Sequence, residues 1–294
     1  MRRPALVLLY AVCLAGCGGG SDGEELAERL PGDARALSVI DLAAVKERLG
    51  LPEDADPTRS PGDAGGLAQA RLFAYAGGAF PYLARFDRMF TEAIDESRVT
   101  QAAATPVSGP DTVVVLATDQ PFDDEIAGRL ERAGYRPRDD VLVNEDDPGG
   151  GPASFPAVGG EDGVVVLAGD AQTARRTLDG EQPDGPTRRL LNEIDAPVRD
   201  ATTLGAGGDT CVRGIALGDS VDPAEVELVV SVEGDASAER LEDPGSAVGE
   251  AFEPGDPEAE GNLARLPLSY RPRPGAAPIQ ALAARLPPPY RCPG

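Results

Sequence analysis

The chain has 294 residues, of which 50 are acidic and 27 basic, and its formal net charge is −23 at pH 7. It contains no histidine, which excludes Ser-His-Asp and Cys-His nucleophile systems, zinc sites with histidine ligands and imidazole proton relays. Because so acidic a chain repels phosphate backbones, no nucleic acid is expected among its partners.

The first 16 residues have the organisation of a secretory signal peptide. Arg2 and Arg3 precede an apolar run that is too short to span a bilayer, which takes about 20 residues. The motif Leu14-Ala15-Gly16-Cys17 then resembles the lipobox of bacterial lipoproteins. This resemblance implies cleavage just before Cys17 and attachment of a diacylglycerol to its thiol, which anchors the protein to the membrane.

Two alternatives remain open for this segment, namely an uncleaved anchor helix and a secreted protein in which Cys17 has no role. In the lipoprotein interpretation, residues 17–23 form a flexible tether, and the mature chain keeps 25 basic and 50 acidic residues. We therefore expect the protein at the outer face of the bacterial cytoplasmic membrane, held there by lipid alone. In general character the body resembles lipoproteins of high-GC Gram-positive bacteria, a resemblance that implies no activity.

A strand followed by a helix is predicted four times along the body. The segments DTVVVLATD at 111–119 and DGVVVLAGD at 162–170 repeat one another 51 positions apart, and each ends in an aspartate suited to capping a helix. The same pattern occurs at 36–50 and 226–241. Gly134 and Gly180 are suited to end the two helices that follow the repeated strands.

These segments predict an α+β fold of two related lobes, with mixed or antiparallel sheets and packed helices. Lobe 1 is expected at residues 24–183 and lobe 2 at 184–294, because EQPDGP at 181–186 is typical of a boundary. A single domain with a surface loop at this point remains equally open. Further strands are predicted at 71–76, 141–144, 211–217 and 262–270.

Three short motifs are candidates for chemistry, and each has a simpler explanation. Gly218-Asp219-Ser220-Val221 is similar to the start of the GDS esterase motif, but without histidine a hairpin turn is favoured. Asp139-Asp140 and Glu145-Asp146-Asp147 could gather calcium, yet they lack the ligand spacing of a calcium loop. We therefore predict no catalytic residue, no metal site and no cofactor.

A disulfide between Cys211 and Cys292 is predicted by elimination. Cys13 would leave with the signal peptide and Cys17 would carry lipid, so two of the four cysteines remain in an exported chain. The bond would hold the proline-rich end of the chain against lobe 2 and would close a loop of about 80 residues, worth roughly 4 to 5 kcal/mol. Two separate buried thiols are the alternative.

The functional expectation is a non-catalytic binding or assembly role in the cell envelope, with an envelope protein or a small ligand as partner. A lipid-tethered solute-binding protein is the second hypothesis, and a carboxylate-dependent hydrolase is the third. A deep pocket with few acids would favour solute binding, two convergent buried carboxylates would favour the hydrolase, and a flat surface would favour assembly.

Overall fold

Helices lie among the strands as far as residue 191, and the described elements after it are strands. The computed structural model describes residues 22–59, 66–79, 93–105, 112–145, 155–161, 163–180, 182–204, 212–221, 225–232 and 252–270. The helices are α1 (Asp22–Arg29), α2 (Leu42–Arg48), α3 (Gly66–Ala79), α4 (Gly128–Arg132), α5 (Ala171–Leu178) and α6 (Pro186–Leu191), with a 3-10 turn at Glu96–Arg98 and a π-helix at Phe122–Ala127. The strands are β1 (Ala36–Asp41), β2 (Val99–Ala104), β3 (Val113–Thr118), β4 (Arg136–Arg138), β5 (Val141–Val143), β6 (Ala157–Glu161), β7 (Val164–Ala168), β8 (Val198–Thr203), β9 (Val212–Asp219), β10 (Glu225–Val232), β11 (Phe252–Pro254), β12 (Glu258–Glu260) and β13 (Leu263–Tyr270).

All of these strands belong to one 13-stranded sheet, in the order β11-β13-β10-β9-β8-β1-β2-β3-β7-β6-β5-β4, with β12 pairing β13 as well. Every described pairing in the sheet is antiparallel. The predicted α+β class is therefore confirmed. The division between residues 183 and 184 stays a prediction; the strands on its two sides share this sheet, because β8 pairs with β1.

Helices cover both faces of the sheet, which explains why β7 is apolar at every position and β3 at every position but the last. Val114 and Leu116 of β3 pack into one cluster with the side chains of α2, α3 and the π-helix. Val113 and Val115 of the same strand pack on the opposite face with α1, α5 and α6. Successive residues of a strand point to opposite faces, so a strand between two helical layers is buried throughout.

The two repeated segments form neighbouring strands. β3 and β7 pair antiparallel, with Val115 opposite Val166. The cap predicted after β7 is confirmed, because the Asp170 carboxylate accepts hydrogen bonds from the backbone of Gln172 and Thr173 at 2.8 and 2.9 Å. The cap predicted after β3 is wrong, since the π-helix begins after Pro121 without a side-chain cap.

Asp119, the residue expected to cap that helix, instead accepts a hydrogen bond from Arg98 Nε at 2.7 Å. Pro121 has an extended backbone and places the start of the helix two residues later than a cap at Asp119 would. The predicted ends of these helices are confirmed, because Gly134 and Gly180 adopt φ values of 107° and 72°, which favour glycine.

The strand predicted at residues 71–76 is wrong, because this segment lies within helix α3. Leu72, Tyr75 and Ala76 are buried at the i, i+3 and i+4 spacing of one helical face. The strands predicted at 141–144, 211–217 and 262–270 correspond to β5, β9 and β13. The helix predicted after β10 lies outside the described residues.

Candidate functional site

A pocket of about 510 Å³ opens between the segment joining α1 to β1 and helix α5. Its lining combines two arginines, several hydrogen-bonding side chains and one acid. The lining residues are Pro31, Asp33, Ala34, Arg35, Ala36, Thr105, Thr173, Arg176, Thr177 and Gln182. The volume is in the range of small-molecule sites, about 300–1,000 Å³.

Helix α5 contributes one wall of the pocket through helical spacing. Thr173, Arg176 and Thr177 stand at i, i+3 and i+4, so they share one face of the helix. Asp170 fixes the start of the helix by capping it. Although burial opposes ionisation, hydrogen bonds from Thr173 and Gln172 and the nearby charge of Arg176 lower the pKa of the Asp170 carboxyl.

The opposite wall is fixed by a backbone contact between two loops. A Cβ added to Gly32 would lie 1.6 Å from the carbonyl oxygen of Pro183, and one added to Gly185 would lie 1.5 Å from that of Gly32. Thr187 Oγ1 also donates a hydrogen bond to the carbonyl of Ala34 at 2.7 Å. The residues that line the pocket from 31 to 36 therefore have little room to move.

Two unpaired guanidinium groups line this pocket. Within the described ranges, the arginines whose side chains make no hydrogen bond or ion pair are Arg35, Arg59, Arg138 and Arg176. The first and last of these line the pocket, where Asp33 is the acid among the lining residues. The lining thus has two basic residues and one acidic residue, whereas the whole chain has 27 basic and 50 acidic residues.

A buried hydroxyl without a partner adds to the lining. Thr177 is fully buried, and its Oγ1 has no hydrogen-bond partner. The other hydroxyls of the lining are engaged, because Thr173 Oγ1 donates to Asp170 at 2.7 Å and Thr105 Oγ1 accepts from the Val113 backbone at 2.8 Å. A buried donor without a partner is uncommon in folded proteins and calls for an explanation.

A second groove, of about 1060 Å³, lies beside α2 and the first residues of β2. Lys46, the one lysine of the chain, lines it but is 3% exposed. Its Nζ donates to the carbonyls of Glu53 and Ser97, both at 2.8 Å. Burial lowers the pKa of Lys46, although the nearby charges of Asp56 and Asp54 act to raise it. Through these two hydrogen bonds the lysine joins the segment at Glu53 to the 3-10 turn at Ser97.

Glu96 and Asp219 are the acidic residues below 9% exposure within the described ranges. Burial raises the pKa of the Glu96 carboxyl to about 7, and the nearby carboxylates that add to this effect are Asp56 and Asp95. Asp219 lies elsewhere and accepts a hydrogen bond from Tyr75. A third carboxylate, that of Asp200, has its Oδ1 buried without a partner, and burial raises its pKa to about 6. Glu96 and Asp219 have different neighbours, Asp56 and Asp95 for the first and Tyr75 and Val221 for the second.

The GDS-like motif forms the hairpin that the sequence predicts. Val226 of β10 stands opposite Asp219 of β9, and Ser220 Oγ donates to the carbonyl of Glu225 while accepting its backbone N–H, both at 3.0 Å. The serine hydroxyl is therefore used to close the turn.

Of the acids considered for calcium, Asp139 and Asp140 bind Arg175 at 2.8 and 2.7 Å. In the part of the chain that the structure describes, no three His, Cys, Asp or Glu side chains gather as metal ligands would. No helix within the same ranges has the length and apolar character needed to cross a membrane.

Cys17, the predicted lipid-attachment residue, and the predicted disulfide pair Cys211 and Cys292 lie outside the described residues. The sequence reasoning missed the pocket residues Arg35 and Arg176. The spacing of Thr173, Arg176 and Thr177 on one helical face was a usable signal, but nothing local indicates that Arg35 joins them from 141 positions away.

Comparison of the sequence with models of known protein families and with curated proteins finds no match. Among solved structures, crystal form I of TP0453 is similar with a TM-score of 0.47 and 10% identity, over 88% of this chain and 96% of that chain. Crystal form III of the same protein gives a TM-score of 0.43 and 11% identity over the same shares of the two chains. At these values the similarity assigns no function.

Proposed function

We propose that the protein is a lipid-anchored, extracytoplasmic binding protein that holds a small solute and catalyses no reaction. The proposal joins the lipobox Leu14-Ala15-Gly16-Cys17 to the pocket between residues 31–36 and helix α5. Of the roles that the sequence leaves open, solute binding is the one that a pocket with a single acid favours.

The observation that carries the binding role is the pair of guanidinium groups left unpaired in a walled pocket. Several arginines elsewhere in the described residues are paired with carboxylates, as in Arg29 with Glu161 at 2.5 Å and Arg265 with Glu193 at 2.6 Å. Binding sites combine a fixed wall with a few well-placed polar groups. The Gly32–Gly185 contact and the α5 face provide both.

Detergent phase partitioning of the wild type and a Cys17→Ser variant tests the anchor. The wild type should enter the detergent phase and carry a diacylglycerol on Cys17 in mass spectrometry. The variant should lack lipid and stay in the aqueous phase or remain unprocessed. A mature wild-type N-terminus downstream of Cys17, without lipid, would contradict the anchor.

The absence of catalysis is tested on the same preparation with ester, peptide and sugar substrates. We expect no turnover. An activity that copurifies with the protein and disappears in Glu96→Gln would instead support the hydrolase, because Glu96 is a buried carboxyl with a pKa raised by burial to about 7.

A further inference from the structure

We infer that the pocket between residues 31–36 and helix α5 binds a small free anion whose oxygens carry the charge, a carboxylate or a phosphate. This inference rests on the proposed function and specifies its ligand. Arg35 and Arg176 are its binding residues, and the argument for them depends on charge, on packing and on size.

The charge argument starts from the partners that arginines find in this body. Arg98 binds Asp119 at 2.7 Å and Arg175 binds Asp140 at 2.7 Å, as expected where acids outnumber bases. Arg35 and Arg176 make no ion pair with a carboxylate, and the pocket lining holds their two guanidiniums and the single carboxylate of Asp33. The capping carboxylate of Asp170 is near enough to Arg176 for their charges to interact, but it is not among the lining residues. A guanidinium presents a planar fork of donors that matches carboxylate and phosphate oxygens.

The packing argument concerns the position of these two side chains. Arg176 projects from a capped helix, and Arg35 lies three residues after Gly32, where the two loops meet. Neither wall has to reorganise to bring the two arginines to one pocket. A site whose walls are fixed in advance loses less free energy in ordering its groups on binding.

The buried cation Arg188 contacts one of the residues that line the pocket. Its guanidinium donates to the carbonyls of Leu30 and Gln182, at 2.5 and 3.4 Å, and its Nε has no partner. Gln182 is itself a lining residue. Asp184 and Glu28 partly offset this charge, so the positive charge available to an anion in the pocket comes from Arg35 and Arg176.

The size argument selects a free small anion over a membrane headgroup. A volume of about 510 Å³ accommodates a small molecule. An anionic bilayer would have to approach a mature body with twice as many acidic as basic residues, which repels it. A free anion meets this repulsion only weakly and reaches the arginines through the pocket mouth.

Calorimetric titration of the mature lipidated protein in uncharged detergent tests the inference, with inorganic phosphate and with malonate as probes. We expect saturable binding of at least one probe at one site per chain. Arg35→Ala and Arg176→Ala should each weaken it about 10-fold or more, since a charge-assisted hydrogen bond contributes about 1.5–3 kcal/mol. Both side chains are exposed, so the variants should unfold at the wild-type temperature.

Arg138→Ala is the matched control, because Arg138 is also exposed and unpaired but lies outside the pocket. It removes the same charge and should leave the affinity unchanged. Equal weakening in all three variants, or no saturable binding of either probe, would overturn the inference. Binding to vesicles containing an anionic phospholipid that depends on Arg35 and Arg176, without binding of the free probes, would overturn it in favour of a headgroup.

The same preparation separates this inference from the proposed function. If the protein partitions into detergent and binds a neutral solute in the pocket but neither anion, the anion assignment fails and the binding function stands. If the protein carries no lipid, the anchor fails whatever the titrations show.

Discussion

Tyr75 and Asp219, both fully buried, join helix α3 to the β9–β10 hairpin through a hydrogen bond of 3.1 Å from the tyrosine hydroxyl to Asp219 Oδ1. The same oxygen accepts the backbone N–H of Val221 at 2.8 Å. Val221 has a φ of 68°, an uncommon value for a β-branched residue. Arg71, one turn before Tyr75 on α3, donates to the carbonyl of Val221. Two side chains of α3 thus hold a strained turn in place.

Tyr75→Phe should therefore destabilise the protein by about 1–3 kcal/mol, because a buried carboxylate loses a donor. Burial and the charge of Asp219 raise the pKa of Tyr75, so its hydroxyl keeps its proton and donates a hydrogen bond near neutral pH. Urea denaturation gives the change in the free energy of unfolding. Tyr270→Phe is the control, since Tyr270 is 7% exposed and its hydroxyl makes no described hydrogen bond. Equal effects of the two substitutions would contradict the role of the Tyr75 hydroxyl.

Gly32→Ala should disrupt the contact between the two loops beside the pocket. The added methyl would lie 1.6 Å from the Pro183 carbonyl oxygen, and the obstacle is backbone, which cannot rotate away. We expect a loss of at least about 3 kcal/mol, at the upper end of what overpacking costs. Thermal unfolding followed by circular dichroism measures it.

Gly128→Ala is the control for that substitution, because a methyl group there meets nothing within 4 Å and the residue has a helical φ of −64°. It should leave stability unchanged or raise it by about 0.5–1 kcal/mol, the usual gain from glycine to alanine in a helix. If Gly32→Ala proved as well tolerated as Gly128→Ala, the loop contact would not constrain the pocket wall.

Thr177→Val and Thr187→Val should change stability in opposite directions, although both threonines are fully buried. The Thr177 hydroxyl has no partner, so its removal should stabilise the unliganded protein by about 1 kcal/mol. The Thr187 hydroxyl donates to Ala34 and lies 3.0 Å from Thr203 Oγ1, so its loss should cost about 1–2 kcal/mol. Chemical denaturation of both variants provides the test, and a destabilised Thr177→Val would show that this hydroxyl is already bonded.

Glu96 should make the protein less stable as the pH rises from about 4.5 to about 7. Burial raises its pKa from 4.5 to about 7, so in this interval the folded chain keeps a proton that the unfolded chain releases. The contribution of Glu96 to stability is complete below pH 4.5, where the carboxyl is protonated in both states. It is lost as the pH rises to about 7, which changes the free energy of unfolding by an amount on the order of 3 kcal/mol. Asp200, whose pKa burial raises to about 6, acts in the same direction.

Glu96→Gln should flatten this decline, because the amide cannot ionise. Denaturation midpoints at intervals between pH 4.5 and 7.5 would show the difference in slope. Glu131→Gln, on the exposed side of α4, is the matched control and should keep the wild-type slope. Identical slopes in all three proteins would mean that Glu96 is hydrated in solution.

Much of this fold could be predicted from short sequence patterns, because several strands and helices have their own start and end signals. Strand β7 is a run of β-branched residues ending in a capping aspartate, and β1 leads into α2 through the same arrangement at Asp41. The strand predicted at residues 71–76 was wrong because Leu72, Phe73 and Tyr75 suit a strand as well as a helix. Which of the two forms depends on how these residues are buried in the fold. The pocket could not be predicted from the sequence either, because Arg35 and Arg176 line one pocket only in the folded chain.

The pairing of β1 with β8 also sets the order in which the fold can be completed. Strand β1 lies between β2 and β8, and β8 begins 162 residues after β1 does. A chain synthesised from its N-terminus therefore holds one side of β1 open until two-thirds of its length has been made. An open strand edge is a template for pairing with another chain. A fragment ending at residue 183 would leave that edge of β1 unpaired, so we expect such fragments to aggregate.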